Sequence, residues 1–205
     1  IDVETTGLPK DGYQPLVVEI GACCVTGAGH VKNPIGFFVK QSEADLYAPE
    51  AEGAFKITKI DRKQVLAEGL PPDEASERLV RWVERVVGRY GDMQLRAFNQ
   101  EFDFGFLMAH PWDIFARTFL VPGEDIMFAA MDIMGEAGAL PPAPEWAQKK
   151  GQPYKWPKVT EALAFFNGRG HDIRWGSQAH RAQEDAVKEA MIAVAIEAER
   201  NGWAG

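Results

Sequence analysis

An α/β fold built on a mixed sheet is predicted by three features of the sequence. Strand-like segments crowd the first 40 residues with short connections between them. Apolar residues then recur at helical spacing over long stretches, and short apolar runs alternate with those stretches. Strands joined by short connections pair antiparallel, whereas strands alternating with helices add parallel neighbours, so a mixed sheet with helices on its faces follows.

Residues 1–4 read as the end of a strand. Residues 16–25 read as a second strand, rich in β-branched side chains and closed by Thr26-Gly27-Ala28-Gly29, and residues 36–40 as a third. The period then changes. Residues 73–87 place Ala75, Leu79, Val83, Val86 and Val87 on one helical face, with Asp73 as N-cap after Pro71-Pro72. Residues 94–98 are short enough for a buried strand, after which Asn99 caps a helix through Phe102, Phe106 and Leu107. Residues 125–134 fit strand and helix equally by periodicity. Prolines mark 140–157 as a loop, and residues 182–200 carry Val187, Ala190, Met191, Val194, Ala195 and Ala198 at helical spacing.

The 205 residues suit one domain, 1–205, with no internal repeat and no linker between two cores. No apolar run approaches the roughly 20 residues of a membrane span, so a soluble protein is expected. The chain opens on Ile1 without a secretory pattern and reads as cut into an existing strand. The only two cysteines, Cys23 and Cys24, are adjacent, and neighbouring strand residues point to opposite faces. A disulfide framework is thereby excluded, and a reducing cytoplasmic setting is expected. The net charge of −8 argues against wholesale wrapping of nucleic acid by a basic surface. Between 145 and 181, however, Lys149, Lys150, Lys155, Lys158, Arg169, Arg174 and Arg181 outnumber Glu145, Glu161 and Asp172, which leaves a local basic face.

The chemistry concentrates in three runs. Asp2-Val3-Glu4-Thr5-Thr6-Gly7-Leu8 puts two carboxylates at i and i+2, on one face of a strand, where like charges repel unless a hard cation lies between them. A bare pair of this kind is common on solvated strands; six specified residues in a row arise by accident on the order of once in ten thousand such chains or more rarely. Asn99-Gln100-Glu101-Phe102-Asp103 holds a further carboxylate, which alone would read as a first-turn aspartate favoured by the helix dipole. His180-Arg181-Ala182-Gln183-Glu184-Asp185-Ala186 holds a histidine five residues before an aspartate. Five helical residues advance about 140° beyond a full turn, so the two cannot face one target from the same helix. Gly170, Gly176 and Ser177 make the segment ahead of His180 loop-like.

In this order and separation the three runs resemble the signatures of the DEDDh exonucleases, which include polymerase proofreading subunits and ribonuclease T-like enzymes. Lys56-Ile57-Thr58 and residues 155–166 also look family-like, so the resemblance covers nearly the whole chain. Phe98 departs from it, since many relatives carry histidine there. The resemblance implies a ribonuclease H-like mixed five-stranded sheet, three antiparallel strands then parallel strands, flanked by helices on both faces. It implies two divalent cations, Mg²⁺ or Mn²⁺, bound by Asp2, Glu4, Asp103 and Asp185, with Asp2 bridging both. His180 would be the general base that takes a proton from the attacking water. Thr5, Thr6, Gly7 and Leu8 would lie beside the terminal nucleotide, with Leu8 wedged against a base, and Asn99 and Phe102 would belong to the same substrate-binding surface. The implied reaction is 3′→5′ release of nucleoside 5′-monophosphates from the end of a single-stranded nucleic acid, DNA favoured over RNA. The motifs are compatible with action alone, beside a polymerase, or as a homodimer.

Two other readings stand beside this one: a nucleic-acid-binding domain that has lost activity, which no missing carboxylate signals, and an endonuclease of the same fold, against which the His180 motif argues. The loop 140–157 interleaves Trp146, Tyr154 and Trp156 with Lys149, Lys150 and Lys155, a composition suited both to stacking bases and to a plain surface insertion with aromatic anchors.

Overall fold

The computed structural model describes residues 1–10, 12–171, 173 and 181–201. Strands β1 (Asp2–Thr5), β2 (Val17–Val25) and β3 (Val31–Phe38) form an antiparallel sheet in the order β1-β2-β3. The third strand starts earlier than the apolar pattern predicts, because Lys32, Asn33 and Pro34 are exposed on an edge strand, where a proline costs no ladder bond and polar side chains meet water. Register fixes the faces. Asp2 pairs with Gly21 and Glu4 with Glu19, while Val3 pairs with Ile20 and Ile20 with Phe37. Since side chains alternate, the carboxylates and the apolar residues sit on opposite sides of the sheet.

The apolar side meets the first core. After the short helices α1 (Glu43–Leu46), α2 (Glu52–Thr58) and α3 (Arg62–Glu68), the long helix α4 (Pro72–Tyr90) packs Leu79, Val83 and Val86 into one cluster with Val3, Ile20 and Phe37. Its start is set by Pro72 at the first helical position, and Pro71 rather than Asp73 stands at the N-cap with no side-chain cap.

Beyond α4 the chain forms β4 (Gln94–Leu95), α5 (Gln100–Leu107), α6 (Ile114–Thr118) and β5 (Val121–Pro122), with β4 and β5 parallel. The sheet is therefore seen as an antiparallel triplet and a parallel pair. They abut where the Ile1 amino group donates to the Arg96 carbonyl at 2.9 Å. The strand expected over 94–98 stops at Leu95 because the next backbone groups find other partners: Ala97 O accepts from Ile126 N, Phe98 N donates to Glu189, and Asn99 N to Asp125.

The ambiguous 125–134 segment is helix α7 (Ile126–Glu136), capped by Asp125, which accepts from Met127 N at 2.8 Å. The proline-rich loop that follows carries the short helix α8 (Glu145–Gln148) and is pinned across its neck by Ala143 N to Pro153 O and Lys155 N to Pro141 O. Helices α9 (Val159–Gly168) and α10 (Ala182–Arg200) complete the second core, in which Ile126, Ala130, Met134, Phe166, Ile192 and Ile196 meet. Among the described residues no helix is long and apolar enough to cross a membrane. Both cysteines are free, Cys23 reaching the α10 carbonyl of Ala186 and Cys24 lying in the opposite core.

What holds α10 to the carboxylate side of the sheet is the absence of side chains beneath it. A Cβ built on Gly21 would lie 1.9 Å from the Ala182 carbonyl carbon, and one on Gly36 would lie 2.7 Å from Gln183 Cβ. The first turn of α10 therefore rests directly on strand backbone. Gly21→Ala should destabilise the fold by at least the ~1–3 kcal/mol typical of overpacking, because the atoms it meets are backbone and cannot swing aside. Gly88→Ala in α4, where an added Cβ would meet no described atom outside its own helix within 4 Å, should instead stabilise by roughly 0.5–1 kcal/mol. Urea midpoints of the two variants moving in the same direction would refute this account.

Candidate metal centre

Asp2 and Glu4 project from β1 toward α10, and Asp185, in the first turn of α10, meets them. One carboxylate oxygen from each of Asp2, Glu4 and Asp185 lies within 4.8 Å of the others. Asp103 comes in from α5. It is 3% exposed, and its Oδ1 accepts a 2.9 Å hydrogen bond from Val3 N, so it is clamped to the backbone between the two strand carboxylates. It stands beside the triplet rather than within its 4.8 Å span. Lys188, one turn along α10, donates to Asp185 Oδ1 at 2.7 Å.

Crowding so many acids shifts their ionisation. Burial, and then the negative charges of Glu189, Asp103, Glu4 and Asp185, hold the Asp2 carboxyl well above the usual carboxylate range. Glu4 is pushed up to about 8 by burial and by Asp185 and Glu19, and burial pushes Asp103 to about 7. The donor set is all oxygen, the type that hard divalent cations take. Among the described residues, Asp2 Oδ2 is buried and has no hydrogen-bond partner, an unmet acceptor at the point where a cation would remove the repulsion.

The threonines following the acidic pair are largely committed to the turn. Thr5 Oγ1 donates to Gly7 O at 2.7 Å; Thr6 Oγ1 accepts from Tyr13 Oη at 2.6 Å and from Leu16 N at 2.9 Å. Leu8 is 70% exposed, an apolar side chain held in solvent just past the carboxylates. Asn99 is not a side-chain cap: its backbone is left-handed at φ 67°, and Asp125 receives Asn99 N and Gln100 N instead, at 3.2 and 2.8 Å. The helix therefore starts on a carboxylate borrowed from α7. Phe102 packs edge-on to Phe106 at 5.2 Å against the first core, half-buried. His180 lies outside the described residues.

Two groups escaped the sequence reading. Glu189 is 4% exposed on α10, accepts from Phe98 N at 3.3 Å, and is raised well above the usual range by burial and Asp103. Its signal was the i, i+4 spacing from Asp185, which sets two carboxylates on one helix face. Glu19, buried opposite Glu4, is paired with Arg181; nothing local in the sequence announces a pair 162 residues apart. The basic face of 145–181 is also smaller than its composition, since Arg169 pairs with Glu199 and Arg181 with Glu19. In the proline-rich loop, Tyr154 is an anchor, its ring filling the space a Gly135 side chain would take. Trp146 and Trp156 are exposed, the latter edge-on to Phe128 at 5.9 Å.

No known protein family and no curated protein matches the chain in sequence. Solved structures do match in shape. A 3′-exonuclease from a structure of 3′-end-specific recognition of a histone mRNA stem-loop is 13% identical, with a TM-score of 0.64 over 98% of this chain and 63% of that one. E. coli Exonuclease I in complex with a dT13 oligonucleotide is 18% identical, with a TM-score of 0.58 over 97% of this chain and 40% of that one. The zinc-bound form of the E. coli Exonuclease I complex with single-stranded DNA gives 19%, 0.60, 98% and 40%. The chain thus spans less than two thirds of each of these proteins. Along nearly its whole length, this chain has the fold of the 3′-exonucleases and Exonuclease I.

Proposed function

We propose that this protein is a metal-dependent 3′→5′ exonuclease that releases nucleoside 5′-monophosphates from the 3′ end of a single-stranded nucleic acid, DNA in preference to RNA. The observation that carries the reading is the convergence of Asp2, Glu4 and Asp185 on one point, with Asp2 Oδ2 buried there and unpartnered among the described residues. Asp2, Glu4 and Asp185 would hold the divalent cations, Mg²⁺ or Mn²⁺, with Asp103 beside them. When bound, such a pair supplies Lewis acidity and neutralises charge on the attacking and leaving oxygens at phosphorus. The rest is done by the chain. Val3 N fixes the Asp103 carboxylate, exposed Leu8 offers an apolar surface to the terminal base, and His180 accepts the proton of the attacking water. The contact between Ile1 and Arg96 supports counting the two small sheets as one five-stranded, ribonuclease H-like sheet. Two free thiols suit a cytoplasmic setting.

An RNA substrate is the second reading, favoured by the likeness to the exonuclease bound to a histone mRNA stem-loop. The 2′-OH is sensed by local pocket contacts, so matched DNA and RNA oligonucleotides, 3′-blocked and 3′-free, decide between them. Mononucleotide release from 3′-free strands with Mg²⁺ is expected, and no release from blocked ones. Cleavage of circular strands would point to an endonuclease, and binding without cleavage to a silent domain.

Folded Asp185→Ala should lose orders of magnitude in turnover. His180→Ala should keep Mn²⁺ affinity but lower kcat by roughly 10²- to 10⁴-fold and remove the acidic limb of the pH profile. Near-parental turnover in the first, or an unchanged limb in the second, rejects the assigned role.

The raised carboxyls make a second test that needs no substrate. Glu4 and Asp103 bind protons more tightly folded than unfolded, so their contribution to stability is complete below about 4 and is lost as pH rises toward 8 and 7. The metal-free protein should therefore melt at falling temperature from pH 5 to 8. Mn²⁺ should raise the Tm by an increment that grows with pH, since binding must displace those protons. An increment that is absent, or equal at pH 5.5 and 8, contradicts a cation held by these groups.

A further inference from the structure

Helix α4 packs on the apolar side of the sheet, away from the carboxylates, and between it and the edge strand β3 lies a cleft of about 390 Å³. Its floor is apolar and tied down. Trp82 is 8% exposed and donates Nε1 to the Asn33 carbonyl at 3.0 Å, while Asn33, left-handed at φ 50°, sends its side-chain amide to Tyr90 Oη at 3.3 Å. The cations of the cleft are Arg85 and Arg89, both exposed. They stand four residues apart on α4, hence on one face and roughly 6 Å apart along its axis. Arg81, a turn earlier, is paired with Glu77 at 3.5 Å, whereas Arg85 and Arg89 have no carboxylate partner among the described residues, and no acidic side chain among them lines the cleft. Lys32 pairs with Cys24 in the ladder, and Cys24 belongs to the core under α4, so a third cation stands on this side of the edge strand.

In a chain of net charge −8, two guanidiniums left without counter-charge beside an apolar floor favour an anion. Another cleft, of about 350 Å³, shows the contrast, since Glu19, Glu68 and Glu184 line it together with Arg78 and Arg181. A guanidinium binds phosphate through a planar fork, and a pair one turn apart can hold neighbouring phosphates of one strand while a base covers the apolar floor. We infer that the cleft between α4 and β3 binds the backbone of a nucleic-acid strand, on the 5′ side of the end that enters the metal centre. The choice of nucleic acid among polyanions rests on the reading of the protein as a nuclease. The metal centre lies on the other face of the sheet, so a strand that reaches both must cross two strand spacings, roughly 10 Å, and turn the β3 edge. A strand of a few nucleotides reaches the metal centre alone.

The test is Arg85→Gln/Arg89→Gln, with Lys59→Gln/Lys63→Gln removing the same charge beside α3. Each is titrated without metal against a labelled oligothymidylate of about 20 nucleotides over a range of salt, and assayed with Mn²⁺ on a strand of about four. The arginine variant should bind the long strand roughly 10-fold more weakly, with the slope of log affinity against log salt shallower by about 1.4, two phosphate contacts at about 0.7 each. Its kcat and KM on the short strand should stay within about twofold of the parent, as should long-strand binding by the lysine variant. Arg85→Lys/Arg89→Lys should keep most of the salt slope yet bind more weakly than the parent, because the charge remains and the fork is lost. Parental long-strand affinity in the arginine variant, an equal loss in the lysine variant, or a loss on the short strand in step with the long one overturns the inference. Displacement of the strand by oligoglutamate of equal charge as readily as by unlabelled oligothymidylate also overturns it, in favour of an acidic peptide. If the parent hydrolyses no strand, the nuclease reading fails, while the metal-free titration still decides the cleft.

Discussion

The first turn of α10 lies on bare strand backbone, and the site depends on that approach. Carboxylates on β1 can meet one on a helix only if helix and sheet come closer than side chains normally permit. Gly21 and Gly36 permit it by leaving no Cβ in the way. Asp2 and Glu4 are half-buried there beside the buried Asp103, and burial is the first cause of the raised ionisation of each. Fold and site thus share one constraint: the packing that brings the acids together also makes their charges costly, and a bound cation is the natural relief.

The elements around this contact each tie one acid in place. The ladder sets Asp2 and Glu4 on a common face, a backbone amide holds Asp103, and Lys188 holds Asp185. Asp125, far from the cluster in sequence, ties the start of α5 to the start of α7 and so anchors the helix that presents Asp103. Cores on either side, one around α4 and one around α7, α9 and α10, leave the acids between them.

Much of this was legible in the sequence because it is local. The i, i+2 spacing of Asp2 and Glu4 showed a shared strand face, and the apolar period over 182–200 gave a helix that the structure bounds at Ala182 and Arg200. What escaped is what depends on distant partners. Asn99 reads as a cap by residue type, but Asp125 reaches its amide first. The strand at 94–98 stops early because Glu189 and Asp125 take its backbone donors, a competition no window of sequence contains. The Glu19–Arg181 pair was missed for the same reason, and the basic face read from 145–181 shrank when Arg169 and Arg181 met acids from elsewhere.

The arrangement turns on a divalent cation shared by Asp2, Glu4 and Asp185, as proposed above. Anomalous diffraction from crystals grown with Mn²⁺ tests it without recourse to activity. Manganese density is expected within reach of oxygens of those three residues, with Asp2 Oδ2 among its ligands. Density elsewhere on the surface, with Lys188 still seated on Asp185 and no ion between it and β1, would contradict it.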